Sequence, residues 1–501
     1  MLANCKTIPE AINVIARQYP EKIAILDGST EITYAELVDC ARRFAIELRR
    51  NACVKAGERV AVCLPPGAES IWVMLGIMYA GATYVPLDPS YPKERIDNIL
   101  RDAAPSATVG VDIVETAGTP HIVPEMDLLP GERLDDYEYI PDGDCYVIFT
   151  SGTTGAPKGV RIGHDNVLSM LSAVLAVVDI ASADRWLHFH TIAFDFAVWE
   201  IWGCLLTGGT LVVADRRARL DPAQLADLIA RERISILSQT PTSFSSLSGI
   251  LSERSTDALR YVIFGGEALM SSNVRTWARS VGLDAPRLVN MFGITEATVH
   301  LTYHVVTQDD LGRTRIPIGA PLPGMELLLI DDVGYPSDCG TLLARGPQIG
   351  RGYLNRPEET ANRFGYNVTG RDGVYFSTGD LGRLDRGTLF HTGRGDSQIQ
   401  LSGYRVEPAE ILDALGKLPP IAGALLIPEG NPPETTLTLV YTTDDGRPLD
   451  VGKVRQHILS LIPRFMLPSR IVHRVQFPHT INGKIDVAAI RKELGNDKPG
   501  F

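Results

Sequence analysis

Short apolar runs alternate with amphipathic segments along the first 300 residues, and this alternation constrains the fold more than any other feature of the chain. Residues 59–67 (RVAVCLPPG) are predicted as a strand and turn, residues 68–82 (AESIWVMLGIMYAGA) as a helix, and residues 83–88 (TYVPLD) as a strand. The alternation continues through residues 146–300. Strands that alternate with helices are typical of α/β proteins. The sequence therefore predicts an α/β fold of layered β-sheets and helices.

Two later regions have a different pattern. Between residues 310 and 395 the helical signal weakens and short β-like runs dominate, which predicts a β-rich subdomain. From about residue 395 helices and strands return over roughly a hundred residues, which is the size of a small domain. We therefore expect a large N-terminal domain over residues 1–394 and a small α+β C-terminal domain over residues 395–501.

Composition and charge exclude several classes of function. The chain carries 48 basic and 60 acidic residues without a basic stripe, which argues against nucleic-acid binding. Its seven cysteines form no CxxC pair and no zinc-like cluster with histidine, and the N-terminus lacks a signal-peptide layout. We expect a cytoplasmic protein. The apolar residues 71–88 are interrupted by Gly81 and Pro86, so they predict a buried helix and a strand rather than a membrane span.

Residues 150–159 (TSGTTGAPKG) follow the apolar run YVIF at 146–149. Glycines let backbone N–H groups approach an anion, hydroxyl groups add donors, and a lysine adds positive charge. The segment is not the P-loop of common NTPases, because Pro157 precedes Lys158 and Gly159 follows it. Two interpretations remain from these residues alone: an ordinary surface turn or a phosphate loop of another chemistry.

Three further motifs each allow a structural and a functional interpretation. In FDFAVWEIW (194–202), Asp195 is either a helix N-cap or an anion that pairs with the ammonium group of a ligand. In NMFGITEATVH (290–300), Thr295 and Glu296 either cap a helix or include a Mg²⁺ ligand. In STGDLGR (377–383), Asp380 belongs to a glycine turn or binds a ribose diol. The Asn-Gly pair in NGKID (482–486) alone indicates a turn.

Taken in order, these motifs and GRGDSQIQLSGYRVEP (393–408) resemble the adenylate-forming enzymes, in particular the amino-acid adenylation domains of nonribosomal peptide synthetases. YAGATYVPLDPSYPKERI (79–96) is similar to that subgroup rather than to acyl-CoA ligases. The resemblance covers about residues 8 to 490. It implies that ATP and a carboxylic acid form an acyl-AMP with release of pyrophosphate, and that the acyl group then passes to a thiol.

The resemblance also implies roles for individual residues in ATP chemistry. The loop residues expected to hold the ATP phosphates are Thr150, Ser151, Gly152, Thr153, Thr154 and Lys158. Asn290 and Phe292 would line the adenine site, Thr295 would touch the α-phosphate, and Glu296 would hold Mg²⁺. Asp380 would bind the ribose hydroxyls, with Arg394 on the ribose and phosphate side.

The small C-terminal domain supplies the remaining group in such enzymes. Lys484 would be the adenylation lysine, bridging the substrate carboxylate and the α-phosphate while charge builds up in the transition state. The resemblance implies that this domain is mobile and rotates about a hinge at Asp396. One pose would present the lysine, and the other would admit the thiol.

The residues matching the substrate pocket of the family are Asp195, Phe196, Trp199, Ser238, Ile263, Gly265, Met291, Val299 and His300. Asp195 would anchor the α-ammonium group. The set resembles threonine-activating domains, except that Ser238 stands where those domains more often carry Asn. His300 and Ser238 could hydrogen-bond a β-hydroxyl, and a site built in this way rejects analogues that lack it. Serine, allo-threonine, 2-aminobutyrate and valine remain alternatives.

The expected partner is a separate peptidyl carrier protein, because the sequence shows no carrier segment and no condensation-domain His-His motif. This indicates a free-standing adenylation protein or an excised domain. Some family members also use a small activator protein, about which the sequence is silent. Thr341 stands where the family usually carries Glu, and Gln400 and Ser402 replace the usual basic residues of the hinge segment. The rival hypotheses are an acid–CoA ligase and a degenerate adenylate- or amino-acid-binding module.

Overall fold

The computed structural model describes residues 5–110, 119–124, 143–151, 157–368, 371–395, 399–401, 403–418, 421–430, 435–478 and 485–496. Five predicted site residues lie outside these ranges, as does Ser402: Gly152, Thr153, Thr154, Asp396 and Lys484. The chain divides into two compact units. The larger unit comprises Met1–Pro89, Ile99–Thr150 and Lys158–Asp396, and the smaller unit comprises Ser90–Asn98, Ser151–Pro157 and Ser397–Phe501.

The described residues form both helices and strands, as the alternating pattern predicts. The α-helices are α1 (Ile8–Gln18), α2 (Tyr34–Arg50), α3 (Ala68–Tyr79), α4 (Lys93–Ala103), α5 (His164–Leu175), α6 (Phe196–Leu205), α7 (Arg216–Leu220), α8 (Pro222–Arg231), α9 (Pro241–Leu251), α10 (Ser271–Ser280), α11 (Pro357–Phe364), α12 (Pro408–Gly416), α13 (Val451–Leu459) and α14 (Val487–Asn496).

The strands outnumber the helices. They are β1 (Ile23–Asp27), β2 (Thr30–Thr33), β3 (Arg59–Cys63), β4 (Thr83–Leu87), β5 (Ala107–Gly110), β6 (His121–Ile122), β7 (Asp144–Thr150), β8 (Lys158–Gly163), β9 (Arg185–His188), β10 (Thr210–Val213), β11 (Ile236–Gln239), β12 (Tyr261–Phe264), β13 (Arg287–Asn290), β14 (Thr302–Val305), β15 (Ala320–Pro321), β16 (Glu326–Ile330), β17 (Cys339–Arg345), β18 (Tyr366–Asn367), β19 (Val374–Asp385), β20 (Thr388–Arg394), β21 (Ile399–Leu401), β22 (Tyr404–Val406), β23 (Ile421–Glu429), β24 (Thr436–Thr443) and β25 (Arg470–His473).

Three sheets build the larger unit. A nine-stranded sheet has the order β15-β14-β13-β12-β11-β9-β10-β1-β2, and a six-stranded sheet has the order β6-β5-β3-β4-β7-β8. The third sheet, of five strands, has the path β16-β17-β19-β18, with β20 paired to β19. It occupies the region predicted to be β-rich. Adjacent strands β11, β12 and β13 run parallel, so their carboxyl ends meet at one edge, where ligands bind in many α/β sheets.

Burial explains the most apolar segment of the sequence. In α3 every residue but Glu69 is buried, and the strand β4 that follows is buried throughout. The predicted buried helix and strand are therefore confirmed. No helix among the described residues is long and apolar enough to cross a membrane.

The smaller unit has its own core. Strands β23, β24 and β25 form one sheet, with β23 antiparallel and β25 parallel to β24. Side chains of this sheet and of α12 and α13 share a cluster that includes Leu439, Ile411 and Val454, each fully buried. A second cluster joins Val440 of β24 to Ile490 of α14. A larger and a smaller α/β unit confirm the predicted fold class.

Candidate active site

The carboxyl ends of β11, β12 and β13 bring several predicted pocket residues together. Ser238 lies opposite Ile263 in the parallel register, and Ile263 lies opposite Val289 on the next strand. Gly265 and Met291 follow directly after β12 and β13. A Cβ atom on Gly265 would lie 3.2 Å from the Phe196 ring, so the lack of a side chain lets α6 approach this edge.

Two aromatic residues of α6 complete this cluster with His300. The His300 ring centroid lies 5.6 Å from that of Phe196 and 5.4 Å from that of Trp199, both nearly perpendicular. The Trp199 indole Nε1 donates to Ser238 Oγ at 3.2 Å. All four side chains are buried. The structure thus gathers the predicted substrate-binding residues from four separate segments.

His300 has an unusual environment for a buried polar side chain. Neither ring nitrogen has a hydrogen-bond partner within the described ranges, and both are buried. Burial lowers the pKa of His300 to about 3, so the ring is neutral at ordinary pH. A neutral imidazole offers one donor and one acceptor. Leaving such a group unpaired costs about 1–3 kcal/mol, which favours a role in binding a polar ligand group.

The backbone before His300 is strained. Thr298 and Val299 have φ values of 57° and 69°, a region that β-branched residues rarely occupy. The neighbouring Gly293 is packed so closely that a Cβ would fall 1.8 Å from the Val299 carbonyl oxygen. Strain of this kind costs on the order of 1–3 kcal/mol per residue and often marks functional sites. Val299 therefore lies in a tightly determined turn beside the cluster.

Asp195 precedes α6 but makes no capping hydrogen bond with its side chain. Its carboxyl group is buried, and burial raises its pKa to about 6, with the nearby charge of Glu296 acting in the same direction. A hydrogen bond from Thr295 partly opposes this shift. The geometry argues against the N-cap interpretation. A buried carboxyl group in this environment is suited to pairing with a cation.

Glu296 lies in a short 3₁₀ turn, Thr295–Ala297, and is fully buried. Its Oε1 accepts a hydrogen bond from the Tyr353 hydroxyl at 2.7 Å. Mg²⁺ takes oxygen ligands and is commonly held by one or two carboxylates together with substrate phosphates. In the part of the chain that the structure describes, no group of three or more acidic, His or Cys side chains could hold a metal alone. A single carboxylate therefore fits Mg²⁺ that arrives with a nucleotide.

The residues predicted for adenine and ribose form a connected set. Asn290 Nδ2 donates to the Pro317 carbonyl oxygen at 2.7 Å. The Phe292 ring lies 5.4 Å from the His391 ring. His391 Nε2 is 3.0 Å from Asp380 Oδ1, and Arg394 donates to both Asp380 oxygens at 3.0 Å. Strands β19 and β20 place Asp380 opposite Arg394.

The sequence prediction missed His391 in this set. Its polar partner Asp380 lies eleven residues earlier, and the two meet because β19 and β20 pair in an antiparallel register. The signal available in the sequence was the short alternating run HTGR at 391–394, which ends in the predicted Arg394.

The two ends of the predicted phosphate loop are held differently. Thr150 and Lys158 are paired across β7 and β8. Thr150 Oγ1 is buried with no partner among the described residues, and Ser151 is buried. The Lys158 ammonium lies 2.8 Å from Glu359 Oε1 and 4.2 Å from the centroid of the Tyr353 ring. Sequence reasoning singled out neither Tyr353 nor Glu359.

A buried charge cluster around Glu200 lies beside the aromatic residues of α6. Glu200 of α6 accepts hydrogen bonds from the backbone amides of Phe189 and His190. Its carboxylate also contacts Nδ1 of His188 at 3.0 Å and Nδ1 of His190 at 2.7 Å. Burial alone would raise the pKa of Glu200, but the charge and hydrogen bonds of the two histidines outweigh it and lower that pKa to about 2. The His190 ring lies 4.7 Å from Phe196, so this cluster supports the candidate pocket.

Comparison with known proteins identifies the family. Residues 13–354 match the family described as AMP-binding enzyme. Syringomycin synthase SyrB1 of Pseudomonas syringae pv. syringae is 37% identical over 94% of this chain and 79% of its own length. The dimodular nonribosomal peptide synthase of Bacillus subtilis is 34% identical over 96% of this chain but only 21% of its own length. Malpinin synthetase of Mortierella alpina is 35% identical over 94% of this chain and 6% of its own length, so the chain spans a small part of these last two relatives.

Solved structures agree with this match. PA1221, a nonribosomal peptide synthetase protein containing adenylation and PCP domains, has a TM-score of 0.84 and 28% identity over 97% of this chain and 84% of that chain. NpsA-ThdA of Klebsiella oxytoca, a fused adenylation-PCP protein, shares the fold with a TM-score of 0.83, 24% identity and 93% of both chains covered. The chain belongs to the family of AMP-binding enzymes and is a homologue of the adenylation domains of nonribosomal peptide synthetases.

Proposed function

We propose that this enzyme activates L-threonine with ATP and Mg²⁺, releases pyrophosphate, and transfers the threonyl group to the phosphopantetheine thiol of a separate carrier protein. The observation that carries the proposal is the buried cluster in which Asp195 supplies a carboxylate and His300 supplies an imidazole that has no hydrogen-bond partner among the described residues. An α-amino acid with a hydroxylated side chain would satisfy both groups.

The size and chemistry of the cluster favour a small side chain. Phe196, Trp199 and Met291 are buried and limit the space at the carboxyl ends of β11–β13. Ser238 Oγ accepts a hydrogen bond from Trp199, so its own O–H is available as a donor. A β-hydroxyl could then accept from Ser238 and pair with neutral His300. Serine, allo-threonine, 2-aminobutyrate and valine are the alternatives to be tested.

We assign the chemistry of adenylation to residues of both proposed domains, 1–394 and 395–501, joined at a hinge around Asp396. ATP would supply the adenylyl group and Mg²⁺ would neutralise phosphate charge. Thr150, Ser151, Gly152, Thr153, Thr154 and Lys158 would surround the phosphates. Glu296 would hold the metal, Thr295 would contact the α-phosphate, and Lys484 would stabilise the charge of the transition state. The substrate carboxylate is already ionised and acts as the nucleophile.

The nucleotide base and sugar would lie against the connected set around Asp380. Phe292, whose ring lies 5.4 Å from that of His391, would stack on the base, and the Asn290 side chain donates to the Pro317 carbonyl oxygen. Asp380 accepts hydrogen bonds from His391 and Arg394. Two ribose hydroxyls would be further donors to the same carboxylate. The carrier protein is proposed because peptide synthases are among the relatives and PA1221 contains both adenylation and PCP domains.

The test is amino-acid-dependent ATP–pyrophosphate exchange across the proteinogenic amino acids, allo-threonine and 2-aminobutyrate. We expect L-threonine to dominate, and we expect Lys484→Ala to abolish exchange while leaving the thermal unfolding midpoint unchanged. Lys492→Ala is the matched control, because Lys492 is an exposed lysine of α14. A different dominant amino acid would retain adenylation and reject threonine. No exchange with any amino acid, even with an activator protein, would reject the proposal in favour of a CoA ligase or binding module.

A further inference from the structure

Glu296 is supported by side chains that belong to two other segments of the larger unit. The Tyr353 hydroxyl donates to Glu296 Oε1 at 2.7 Å, and Tyr353 is 4% exposed. The Lys158 ammonium lies 4.2 Å from the Tyr353 ring centroid and 2.8 Å from Glu359 Oε1. These four side chains form a continuous contact series from Glu359 through Lys158 and Tyr353 to Glu296, which we call the Tyr353 network.

The backbone around Tyr353 fixes this network from both sides. Leu354 N donates to the Gly159 carbonyl oxygen at 2.8 Å, and Arg161 N donates to that of Gly352 at 2.9 Å. On the other side, Gly350 N donates to the Glu296 carbonyl oxygen at 2.8 Å. Segment 350–354 is therefore bonded both to β8 and to the 3₁₀ turn. These bonds fix the backbone from which the Tyr353 side chain reaches Glu296.

Helix α11 ties the fourth residue of the network to the same segment. Tyr353 N donates to Thr360 Oγ1 at 2.9 Å, and Thr360 follows Glu359 on this helix. Glu359 therefore faces Lys158 from a helix that is itself anchored to Tyr353. The Lys158 side chain is 2% exposed, and the Glu359 carboxylate compensates for the loss of hydration that a buried charge suffers.

The charges in the network strengthen one hydrogen bond. A cation over an aromatic face is attracted by the ring electrons, and it makes a phenolic O–H a better donor. A hydrogen bond from that O–H to an ionised carboxylate is among the stronger kinds in proteins. Hydrogen bonds to a metal-binding carboxylate fix its orientation, and their loss commonly weakens metal affinity about 10–100-fold.

We propose that Tyr353 is a positioning residue for the metal-holding carboxylate of Glu296, and that Lys158 and Glu359 hold Tyr353 in place. The inference rests on the proposed role of Glu296 in binding Mg²⁺. It gives Lys158 a second task at the base of the phosphate loop, in addition to the phosphate contact proposed above. It also adds Tyr353 and Glu359 to the residues that determine how the enzyme uses its metal.

The first test compares Mn²⁺ binding by wild type and Tyr353→Phe, using electron paramagnetic resonance in the presence of the non-hydrolysable ATP analogue AMPCPP. We expect about tenfold weaker Mn²⁺ binding in the variant, at the lower end of the range for such bonds. Tyr375→Phe is the matched control. The Tyr375 hydroxyl donates to Glu326 Oε1 at the same 2.7 Å, and Tyr375 is 1% exposed, but both residues belong to the five-stranded sheet. This control should bind Mn²⁺ as wild type does.

The second test separates the two roles of Lys158. Lys158→Met should weaken Mn²⁺ binding in the wild-type background and add little in the Tyr353→Phe background, because the two residues then act as a unit. If Lys158 acts only by contacting phosphate, its loss should weaken nucleotide binding by the same factor in both backgrounds. That result would overturn the role given to Lys158.

The remaining outcomes are also distinct. Equal Mn²⁺ affinity in Tyr353→Phe and Tyr375→Phe would overturn the positioning role of Tyr353. A wild type that binds no Mn²⁺ with AMPCPP would overturn the inference together with the metal role of Glu296. If Mn²⁺ binding falls in the variant as expected but wild type shows no amino-acid-dependent exchange, the inference stands and the proposed function fails.

Discussion

Asp195 is a buried carboxyl group whose pKa is raised to about 6, chiefly by burial. Only its charged form can pair with the ammonium group of an amino acid. Protonation of the free enzyme below pH about 6 should therefore lower kcat/KM for the amino acid, with a limiting slope of about tenfold per pH unit. The measurement is the pH profile of pyrophosphate exchange at subsaturating amino acid. His300 does not titrate in this window, because its pKa is about 3. A flat profile down to pH 5 would contradict the anchoring role of Asp195.

His300 is the residue on which selection of a hydroxylated substrate depends. In the part of the chain that the structure describes, neither buried nitrogen of the His300 imidazole has a hydrogen-bond partner, and His300→Leu replaces this ring by an apolar side chain. We expect the preference for threonine over valine in kcat/KM to fall by about tenfold or more, because the unpaired polar group that penalises valine is gone. Stability should be unchanged or higher, since an unsatisfied polar group is removed.

The control for His300→Leu is His457→Leu in the smaller unit. His457 Nε2 is hydrogen-bonded to the Ala414 carbonyl oxygen at 3.0 Å. It should leave the threonine-to-valine ratio unchanged. An unaltered ratio in His300→Leu would mean that the imidazole does not face the substrate side chain.

At the scale of the elements, Glu200 joins the middle of α6 to His188 at the end of β9 and to the two residues that follow. Its carboxylate is fully buried and receives contacts from His188, Phe189 and His190. Glu200→Gln places an amide N–H₂ group against the hydrogen-bond donors of His188, Phe189 and His190 in a buried site. The loss of one partner of a buried charge cluster lowers the free energy of unfolding by about 3–5 kcal/mol. Urea denaturation should show this loss. Exchange activity at low temperature should also fall, because His190 contacts Phe196.

Glu232→Gln serves as the comparison for Glu200→Gln. Glu232 pairs with Arg185 at the beginning of β9, and its side chain is 21% exposed. Removing a partly exposed pair of this kind changes stability by about 1 kcal/mol or less. Equal stability losses in the two variants would show that the Glu200 cluster is no more than an ordinary ion pair.

The helices and strands were more predictable than the contacts between segments that are distant in sequence. Periodicity and burial are local properties, so α3, β4 and the β-rich region follow from the sequence pattern. Pairing between distant segments is not local. Tyr353 reaches Glu296 across 57 positions, and Lys158 reaches Glu359 across 201. Only the resemblance to a family connected such distant motifs, and it said nothing of Tyr353.

The site shows the same limit. The resemblance to the family implied the pocket residues at β11–β13, and the structure brings Ser238 and Ile263 side by side there. The partners that tune them, His391 beside Asp380 and His190 beside Phe196, depend on strand register and helix packing. Lys484, Gly152, Thr153, Thr154 and Asp396 stay predictions.

For the whole molecule, net charge bears on the choice of thiol acceptor. The chain has a formal charge of −12, and its sequence shows no basic stripe. Free coenzyme A carries a 3′-phosphate and a diphosphate, so a negative net charge slows its approach more than that of an acceptor with fewer phosphates near the thiol. A phosphopantetheine arm on a carrier protein brings a single phosphodiester. We therefore expect charge to favour a carrier protein over free coenzyme A as the acceptor.

We expect wild type with L-threonine and ATP to acylate a phosphopantetheinylated carrier protein at least about tenfold faster than coenzyme A, a difference of about 1.4 kcal/mol in activation free energy. Intact-protein mass spectrometry measures the carrier product, and chromatography measures threonyl-CoA. Higher salt should narrow the gap if charge repulsion causes it, because salt screens exposed charges. Faster acylation of coenzyme A at low salt would instead establish an acid–CoA ligase that uses the same adenylate chemistry.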